Sequence, residues 1–294
     1  MFTVQTHAGR VSQHVHTPTS WEQAVELLTA HPLDGAVSGG ATYLMWRAAH
    51  GEPVPEHLIS LHRIAGSDEV RDGAVGGLAT LRAVERGPLT GAQRALTMAA
   101  AVTAGPAVRS VGTLGGNLAS GFPQADLVPA LLALGVTVHL TGGDRAVDDV
   151  VGTGLHTSDL VTGVSHGLRA EDGWTGAFVK LAQRGMDLSV ATAAAVLRVQ
   201  DGEVAEARVA AGSLFERPVR LPAIEAALVG ADTSEETMRE LVDVVGVHGP
   251  PFVTDGEATA WYRSRVAGPV VRGALLRACA LGPDGVPGPG YARL

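Results

Sequence analysis

The fold is decided by residues 108–119, which read VRSVGTLGGNLA and lead through Pro123 into the apolar run DLVPALLAL at residues 126–134. Glycine permits positive φ and lets backbone amides approach a ligand closely. Successive amides in such a turn form a concavity that suits phosphate oxygens. Thr113 adds a hydroxyl group and Asn117 an amide. Taken alone, the stretch fits either a tight turn between two core elements or a loop that binds a diphosphate.

A second glycine loop lies earlier in the chain, at residues 37–44, which read VSGGATYL and also continue into an apolar run. Two such loops could hold one diphosphate from two sides. Neither loop is a GxGxxG followed by a ribose-binding acid, and neither has the lysine and hydroxyl residue of a P-loop. The pair favours a diphosphate-bearing cofactor over the turn-only interpretation.

Composition narrows the possible classes of protein. The chain has 294 residues, of which 46% are hydrophobic and 18% charged, so it is globular and long enough for two or three cores. A formal net charge of −8 argues against a broad nucleic-acid-binding surface. The single cysteine, Cys279, excludes a disulfide framework within the chain and an iron–sulfur cluster held by its own thiolates, which needs about four. Any metal redox centre would therefore belong to another chain.

The N-terminus lacks the pattern of a signal peptide, and no apolar run approaches the roughly 20 residues that span a bilayer. We therefore expect a cytoplasmic protein without a membrane span. His14 and His16 could in principle bind a metal, but alternating exposed positions on a strand are the favoured interpretation, and we expect no metal site.

Short strands and helices alternate along the chain, which predicts an α/β or α+β fold. Residues 141–175 are rich in turn residues, and a domain boundary is plausible near residue 172. The predicted elements are strands at 36–37, 58–61, 75–78, 136–140, 190–199 and 204–211, and helices from 21 to about 31, from 44, and at 80–86, 92–104, 124–134, 222–229, 234–247 and 256–280.

The second loop, with Pro123 and Asp126, resembles the pattern R-N-x-G-T-x-G-G-N, proline, D-L of the flavin-binding subunits of molybdenum hydroxylases. These are the medium subunit of carbon monoxide dehydrogenase and the flavin subunit of xanthine dehydrogenase. The first loop resembles their A-G-G-T-D-L more loosely. Further segments resemble later parts of the family in the same order, so that nearly the whole chain is covered: 77–81, FVKLAQR at 178–184, 218–230 and 260–275.

The resemblance implies an α+β fold with a two-part FAD-binding domain of the PCMH type, from the vanillyl-alcohol-oxidase-like superfamily, followed by a smaller α+β C-terminal domain. We place the FAD-binding subdomains at residues 1–56 and 57–172 and the C-terminal domain at residues 173–280. A flexible tail is expected at residues 281–294.

FAD is the implied cofactor, and the flavin itself does the chemistry, so no acid–base residue is named as catalytic. By resemblance, Asp126 bonds a cofactor hydroxyl, although an acid in the first turn of a helix is an alternative. Leu160 packs on the cofactor through its backbone. Lys180 lies near the flavin ring, where a cation stabilises the anionic reduced flavin, although a solvated strand lysine is an alternative. The remaining predicted cofactor-binding residues, in the two loops, are Ser38, Gly39, Gly40, Ala41, Thr42, Leu44, Thr113, Gly115, Gly116 and Asn117.

The sequence departs from the family pattern at several positions. Tyr43 is bulkier than the usual residue beside the diphosphate, and Ser110 replaces a common asparagine. Phe122, with Gly121, replaces a pair of small and acidic residues, and Phe178 replaces a common tyrosine. Together these departures indicate a divergent member of the family.

In the family, electrons leave a substrate at a molybdenum cofactor, pass through iron–sulfur centres on a small subunit and reach FAD. They are then delivered to NAD⁺, oxygen or a quinone. The first hypothesis is therefore an FAD-carrying oxidoreductase subunit with an iron–sulfur small subunit and a molybdopterin large subunit as partners. The alternatives are a stand-alone FAD oxidoreductase acting on an organic substrate, and a binding module that has kept the fold without the flavin.

Overall fold

The computed structural model describes residues 14–281, which form three β-sheets with helices packed on them. The first sheet has three parallel strands in the order β1-β3-β2. The helix α1 begins after Ser20, whose side chain accepts a hydrogen bond from the N–H of Gln23, a normal N-cap. The elements of this first region are β1 (His14–His16), α1 (Trp21–Ala30), β2 (Gly35–Ser38), α2 (Thr42–Ala49) and β3 (His57–Ser60).

The middle sheet has five antiparallel strands in the order β4-β5-β8-β6-β7. The helix α7 is buried at every position, because it packs on the third sheet and shares an apolar cluster with strands of this one. Its strands are β4 (Val70–Arg71), β5 (Ala74–Gly76), β6 (Thr137–Leu140), β7 (Arg145–Ala146) and β8 (Val161–Ser165). Its helices are α3 (Leu81–Arg86), α4 (Arg94–Val102), α5 (Pro106–Arg109), α6 (Leu114–Ala119), α7 (Leu127–Leu134) and α8 (Val147–Thr153).

The third sheet has four antiparallel strands in the order β12-β11-β10-β9. The strand β10 is buried on both faces, since α4 and α7 pack on one side and α11 on the other. Its alanines at 191 and 193–195 let helices approach closely from both sides. The elements are β9 (Trp174–Ala182), β10 (Ser189–Gln200), β11 (Glu203–Gly212), β12 (Val219–Arg220), α9 (Pro222–Leu228), α10 (Glu235–Val245) and α11 (Ala260–Leu281).

The predicted α+β fold is confirmed, with differences in detail. Residues 141–175 are not merely turns, because they contain β7, α8 and β8. These elements have at most seven residues and include glycines, so they carry little periodic signal. The predicted helix at 124–134 begins only at Leu127, and the predicted helix at 256–280 begins only at Ala260. No helix within residues 14–281 combines the length and apolar composition needed to cross a membrane.

The three sheets occupy successive stretches of the chain, at 14–60, 70–165 and 174–220. The strand β3 belongs to the first sheet although it follows the boundary predicted at residue 56. The domain boundaries themselves stay a prediction. The first thirteen residues and the expected tail after residue 281 lie outside the described residues.

Candidate cofactor site

A cavity of about 540 Å³ lies where the three sheets meet. Both glycine loops line it, and so do the start of α7 and the strand β9. The structure brings all thirteen predicted cofactor-binding residues to this one cavity: Ser38, Gly39, Gly40, Ala41, Thr42, Leu44, Thr113, Gly115, Gly116, Asn117, Asp126, Leu160 and Lys180. Their contacts with a cofactor stay a prediction, but their convergence is a property of the fold.

The two glycine loops touch each other directly. A Cβ atom on Gly40 would lie 1.7 Å from the carbonyl oxygen of Val111, and one on Gly39 would lie 2.5 Å from Oγ1 of Thr113. Both distances are far below van der Waals contact, so only glycine fits at either position. The sequence suggested that these glycines admit a ligand. The structure adds a second reason, because they also admit the other loop.

The first loop ends in a helix terminus without a side-chain cap. Ala41 is the N-cap of α2, with a left-handed backbone at φ 57°, and no side chain bonds to the first turn. The first amides of a helix lack partners within the helix, and together with the helix dipole they attract anions. Because Thr42 and Leu44 line the cavity, this terminus suits a diphosphate there.

The second loop is held by backbone hydrogen bonds to the segment that follows β5. The N–H of Leu114 donates to the carbonyl of Ala79 at 2.9 Å, and the N–H of Gly115 donates to that of Gly77 at 2.8 Å. The side-chain oxygen Oγ1 of Thr113 accepts a hydrogen bond from the N–H of Gly116 at 3.1 Å. The hydroxyl hydrogen of Thr113 therefore stays available to a ligand. The loop is therefore rigid before any ligand binds.

Asn117 joins the second loop to α7. Its side-chain oxygen accepts a hydrogen bond from the N–H of Leu127 at 3.3 Å. This bond fixes the orientation of the side chain and leaves its NH₂ group to donate elsewhere. Asn117 therefore offers a donor at the cavity wall.

Asp126 and Lys180 form a buried ion pair with 2.8 Å between Oδ2 and Nζ. Only 4% of the Asp126 side chain and 6% of that of Lys180 are exposed. Ser189 donates a hydrogen bond to the other carboxylate oxygen of Asp126, and Lys180 also donates to the carbonyl of Val102 at 3.2 Å. Burial raises the pKa of the Asp126 carboxyl above its ordinary range, against the opposing effect of the Lys180 charge.

The ion pair bears on the alternatives considered for each residue, an acid in the first turn of a helix for Asp126 and a solvated strand lysine for Lys180. Asp126 does occupy the N-cap position of α7, but its side chain makes no capping hydrogen bond. Lys180 is not a solvated strand lysine, because its ammonium group is buried. Asp126 stands at the start of α7 and Lys180 on β9, so their pairing ties β9 to that helix terminus.

Leu160 lies in the cavity wall with its backbone already bonded. Its N–H donates to Oγ1 of Thr141 at 3.0 Å, and its carbonyl accepts from the N–H of Thr141 at 3.1 Å. Its side chain is buried in the apolar cluster beneath α1. Leu160 is therefore held rigidly, and its carbonyl oxygen keeps one lone pair for a further donor.

Two of the departures from the family pattern meet in space. The rings of Tyr43 and Phe122 have centroids 5.5 Å apart, and Trp46 packs on both, at 5.9 and 5.1 Å. All three residues line the cavity and give it an aromatic wall. Burial raises the pKa of the Tyr43 hydroxyl. Phe178, by contrast, is buried in the core between the second and third sheets and does not reach the cavity.

Gln124 is a residue of the cavity wall that sequence reasoning missed. Its Nε2 donates to Asp255 at 2.8 Å, while its Oε1 is buried and has no hydrogen-bond partner within residues 14–281. A buried acceptor without a partner is rare in proteins, so this oxygen is suited to a donor on a ligand. Nothing in the sequence marked it, because Asp255 is 131 positions away.

The residues present fit a flavin dinucleotide. Two rigid loops offer donors and a helix terminus for a diphosphate, and a buried cation stands further along the same cavity. The cavity volume lies in the range of about 300–1,000 Å³ that is usual for cofactor sites. Fold and site together define a flavoprotein of the two-part FAD-binding type with an added α+β domain.

Known proteins agree with this class. Residues 9–150 match the FAD binding domain in molybdopterin dehydrogenase, and residues 176–278 match the CO dehydrogenase flavoprotein C-terminal domain. The nicotine 6-hydroxylase medium subunit of Paenarthrobacter nicotinovorans is 30% identical, and the carbon monoxide dehydrogenase medium chain of Afipia carboxidovorans is 28% identical. Each alignment covers 90% of this chain and 96% of the relative.

The same similarity holds in three dimensions. A chain in the crystal structure of carbon monoxide dehydrogenase from Hydrogenophaga pseudoflava superimposes with a TM-score of 0.80 at 27% identity. The superposition covers 92% of this chain and 98% of that one. The protein therefore belongs to the FAD-binding flavoprotein subunits of the molybdenum hydroxylase dehydrogenases. It is an oxidoreductase whose cofactor is FAD, as the loop resemblance predicted.

Proposed function

We propose that this chain passes electrons through FAD. The electrons come from an iron–sulfur small subunit and a molybdopterin large subunit and go to an acceptor such as NAD⁺, oxygen or a quinone. The observation that carries the proposal is the meeting of two glycine loops and an uncapped helix terminus at one cavity. The single cysteine supports it, because the chain cannot hold an iron–sulfur centre with its own thiolates. The relatives that match over 96% of their length are themselves named medium chain or medium subunit.

In this proposal the chain binds, orients and shields the cofactor. Residues 39–44 and Thr113 to Asn117 hold the diphosphate through backbone amides and side-chain donors. Lys180 supplies a buried positive charge, and Asp126 holds that charge in place. FAD supplies the electron transfer when bound. The aromatic wall of Tyr43, Trp46 and Phe122 keeps water from one side of the cavity.

An exposed apolar area beside the loops favours a complex over a stand-alone enzyme. The side chains of Met45 and Val111 are each 50% exposed. They stand next to Leu44 and Gly112, which line the cavity. Apolar side chains at the rim of a redox site suit a partner protein, because burying them on association is favourable.

The absorbance spectrum of the purified full-length chain tests the cofactor role first. Flavin peaks that bleach on anaerobic addition of NADH would support a subunit that exchanges electrons with nicotinamide. Flavin that ignores NADH would leave oxygen or a quinone as acceptor, or a direct organic substrate. No flavin peaks, even after FAD is supplied, would contradict the proposed use of the cavity.

Coexpression with iron–sulfur and molybdopterin subunits of the family tests the partnership. We expect Met45→Glu to reduce copurification of the partners, since it places a charge at the rim. Val244→Glu is a matched control, because Val244 is an 85% exposed residue on α10. Copurification with neither variant nor wild type would favour the stand-alone alternative, whereas equal copurification by wild type and both variants would place the interface away from Met45. The flavin content of both variants should equal that of the wild type.

A further inference from the structure

Four histidines gather at one end of the first sheet, outside the cofactor cavity. His14 and His16 stand on β1, and His57 begins β3 directly opposite His14 in the parallel register. His31 follows α1, in the turn that leads to β2. Side chains two residues apart on a strand share a face, so His14 and His16 point to the same side as their partners on β3. The sheet thus collects imidazoles from three separate parts of the chain.

The nitrogens of three of these histidines lie close together. Nε2 of His16 is 2.9 Å from Nδ1 of His57, and the rings of His31 and His57 are stacked with centroids 3.5 Å apart. One ring nitrogen from each of the three lies within 4.8 Å of the others. Tetrahedral zinc with Zn–N bonds near 2.0–2.1 Å places its ligand nitrogens roughly 3.3 Å apart. The three nitrogens are therefore close enough to reach one ion once the stacked rings of His31 and His57 rotate apart.

The backbone holds this arrangement in advance. The N–H of Gly35 donates to the carbonyl of His31 at 3.0 Å, and the N–H of His57 donates to the carbonyl of Asp34 at 3.0 Å. A Cβ atom on Gly35 would lie 2.5 Å from the carbonyl oxygen of His31, so glycine allows the turn to pack there. A site whose supporting backbone is already fixed loses less entropy on binding a ligand.

A carboxylate lies beside the three imidazoles. The oxygens of Asp34 are 3.8 Å from Nδ1 of His31 and 3.9 Å from Nε2 of His57, so a negative charge lies beside the cluster without a hydrogen bond to either ring.

We propose that His16, His31 and His57 bind one divalent transition-metal ion of the zinc type. Imidazole suits zinc, copper, iron and nickel better than magnesium or calcium. Three nitrogens leave a fourth position, which Asp34 or water fills. The ion would clamp β1, the end of α1 and β3 together, in the sheet whose strand β2 leads into the first glycine loop.

The test uses the full-length protein with its FAD, stripped of metal by a chelator and then titrated with ZnCl₂ in a calorimeter. We expect one equivalent to bind, with the affinity reduced at least tenfold in each of His16→Gln, His31→Gln and His57→Gln. His62→Gln is the matched control, because His62 lies just after β3, bonds to Ser60 and stands outside the cluster. Co²⁺ should give a visible absorption spectrum that the same three variants lose.

Several results would overturn the assignment. The first is an absence of saturable zinc binding by the wild type. The second is an unchanged affinity for zinc in His16→Gln and His31→Gln. A loss in His14→Gln but not in His31→Gln would also contradict it, because the ligands would then be the alternative group of His14, Glu56 and His57. Circular dichroism and flavin content check that each variant folds. Should His57→Gln misfold, His16→Gln and His31→Gln decide the question by themselves.

Discussion

The cofactor cavity and the histidine cluster are two polar regions of the same molecule that are built in opposite ways. The cavity depends on backbone: two short loops in which glycines allow amides and carbonyls to come close. The cluster depends on side chains: imidazoles brought together from residues 14, 16, 31 and 57. Adding one methyl group at Gly39 or Gly40 should therefore damage the first, and removing one imidazole should damage the second. Local motifs mark the backbone-built region in the sequence, whereas only the His14 and His16 pair hints at the other.

The largest expected effect is on flavin content and comes from Gly40→Ala. The new Cβ would lie 1.7 Å from the carbonyl oxygen of Val111, where backbone must move. We expect the purified variant to contain less than a tenth of the wild-type flavin. Its free energy of unfolding should fall by about 1–3 kcal/mol, as is typical of overpacking. Absorbance per mole of protein measures the flavin.

Gly152→Ala controls for the loss of a glycine as such. Gly152 lies in α8 with no atom within 4 Å of the added Cβ, so alanine should keep the flavin and be neutral or stabilising by up to about 1 kcal/mol. If Gly40→Ala also kept its flavin, contact between the loops would not be what builds the cavity.

The next largest effect is expected for Lys180→Met. The substitution leaves the Asp126 carboxylate buried without its counter-charge, which typically costs about 3–5 kcal/mol of unfolding free energy. Urea denaturation followed by tryptophan fluorescence measures the loss. The double variant Lys180→Met/Asp126→Asn should recover part of it, since the uncompensated charge is then gone. A loss no smaller in the double variant would mean that packing, rather than charge, dominates.

A smaller effect tests whether the two regions are independent. Zinc at 100 times its dissociation constant should stabilise the protein by about 2.7 kcal/mol if it binds only the folded state. None of the four clustered histidines lines the cavity, so we expect this stabilisation to be equal in FAD-loaded and FAD-depleted protein. A stabilisation that differs by more than the experimental error would show that the histidine cluster and the first glycine loop are coupled through β2.

The smallest effect is a pH dependence of the Lys180→Met variant. Burial already raises the folded-state pKa of Asp126 above 3.8, and removing Lys180 takes away a group that lowers it. The folded variant therefore binds this proton more tightly than the unfolded chain does. As the pH falls through the folded-state pKa towards 3.8, the variant should regain stability relative to the wild type, by at most about 1.4 kcal/mol per pH unit.

Urea denaturation at pH 8, 7, 6 and 5 measures this recovery. The double variant Lys180→Met/Asp126→Asn has no carboxyl group to protonate there and should show no such recovery. A deficit in Lys180→Met that stays constant with pH would mean that Asp126 does not carry the uncompensated charge.

Much of the cofactor site could be predicted because its parts are contiguous in the chain. The loops at 37–44 and 108–119 each carry their own glycines and donors, and both line the cavity. Asp126 and Lys180 could be named singly by resemblance, but their ion pair could not, because the partners are 54 residues apart. Gln124 could not be predicted either, because only the folded structure shows that its Oε1 is buried in the cavity wall without a hydrogen-bond partner among the described residues.

The sequence by itself determined the α+β class and the two glycine loops, because glycine spacing and apolar periodicity act over a few neighbouring residues, and the family resemblance of those loops indicated FAD. Only the tertiary structure decided which distant side chains meet. His14 and His16 alternate on a strand as predicted, yet their environment is set by His57 through the β1–β3 register and by His31 at the end of α1. Such contacts depend on strand pairing and helix packing across the chain, and these follow from the burial of the whole core rather than from any local pattern.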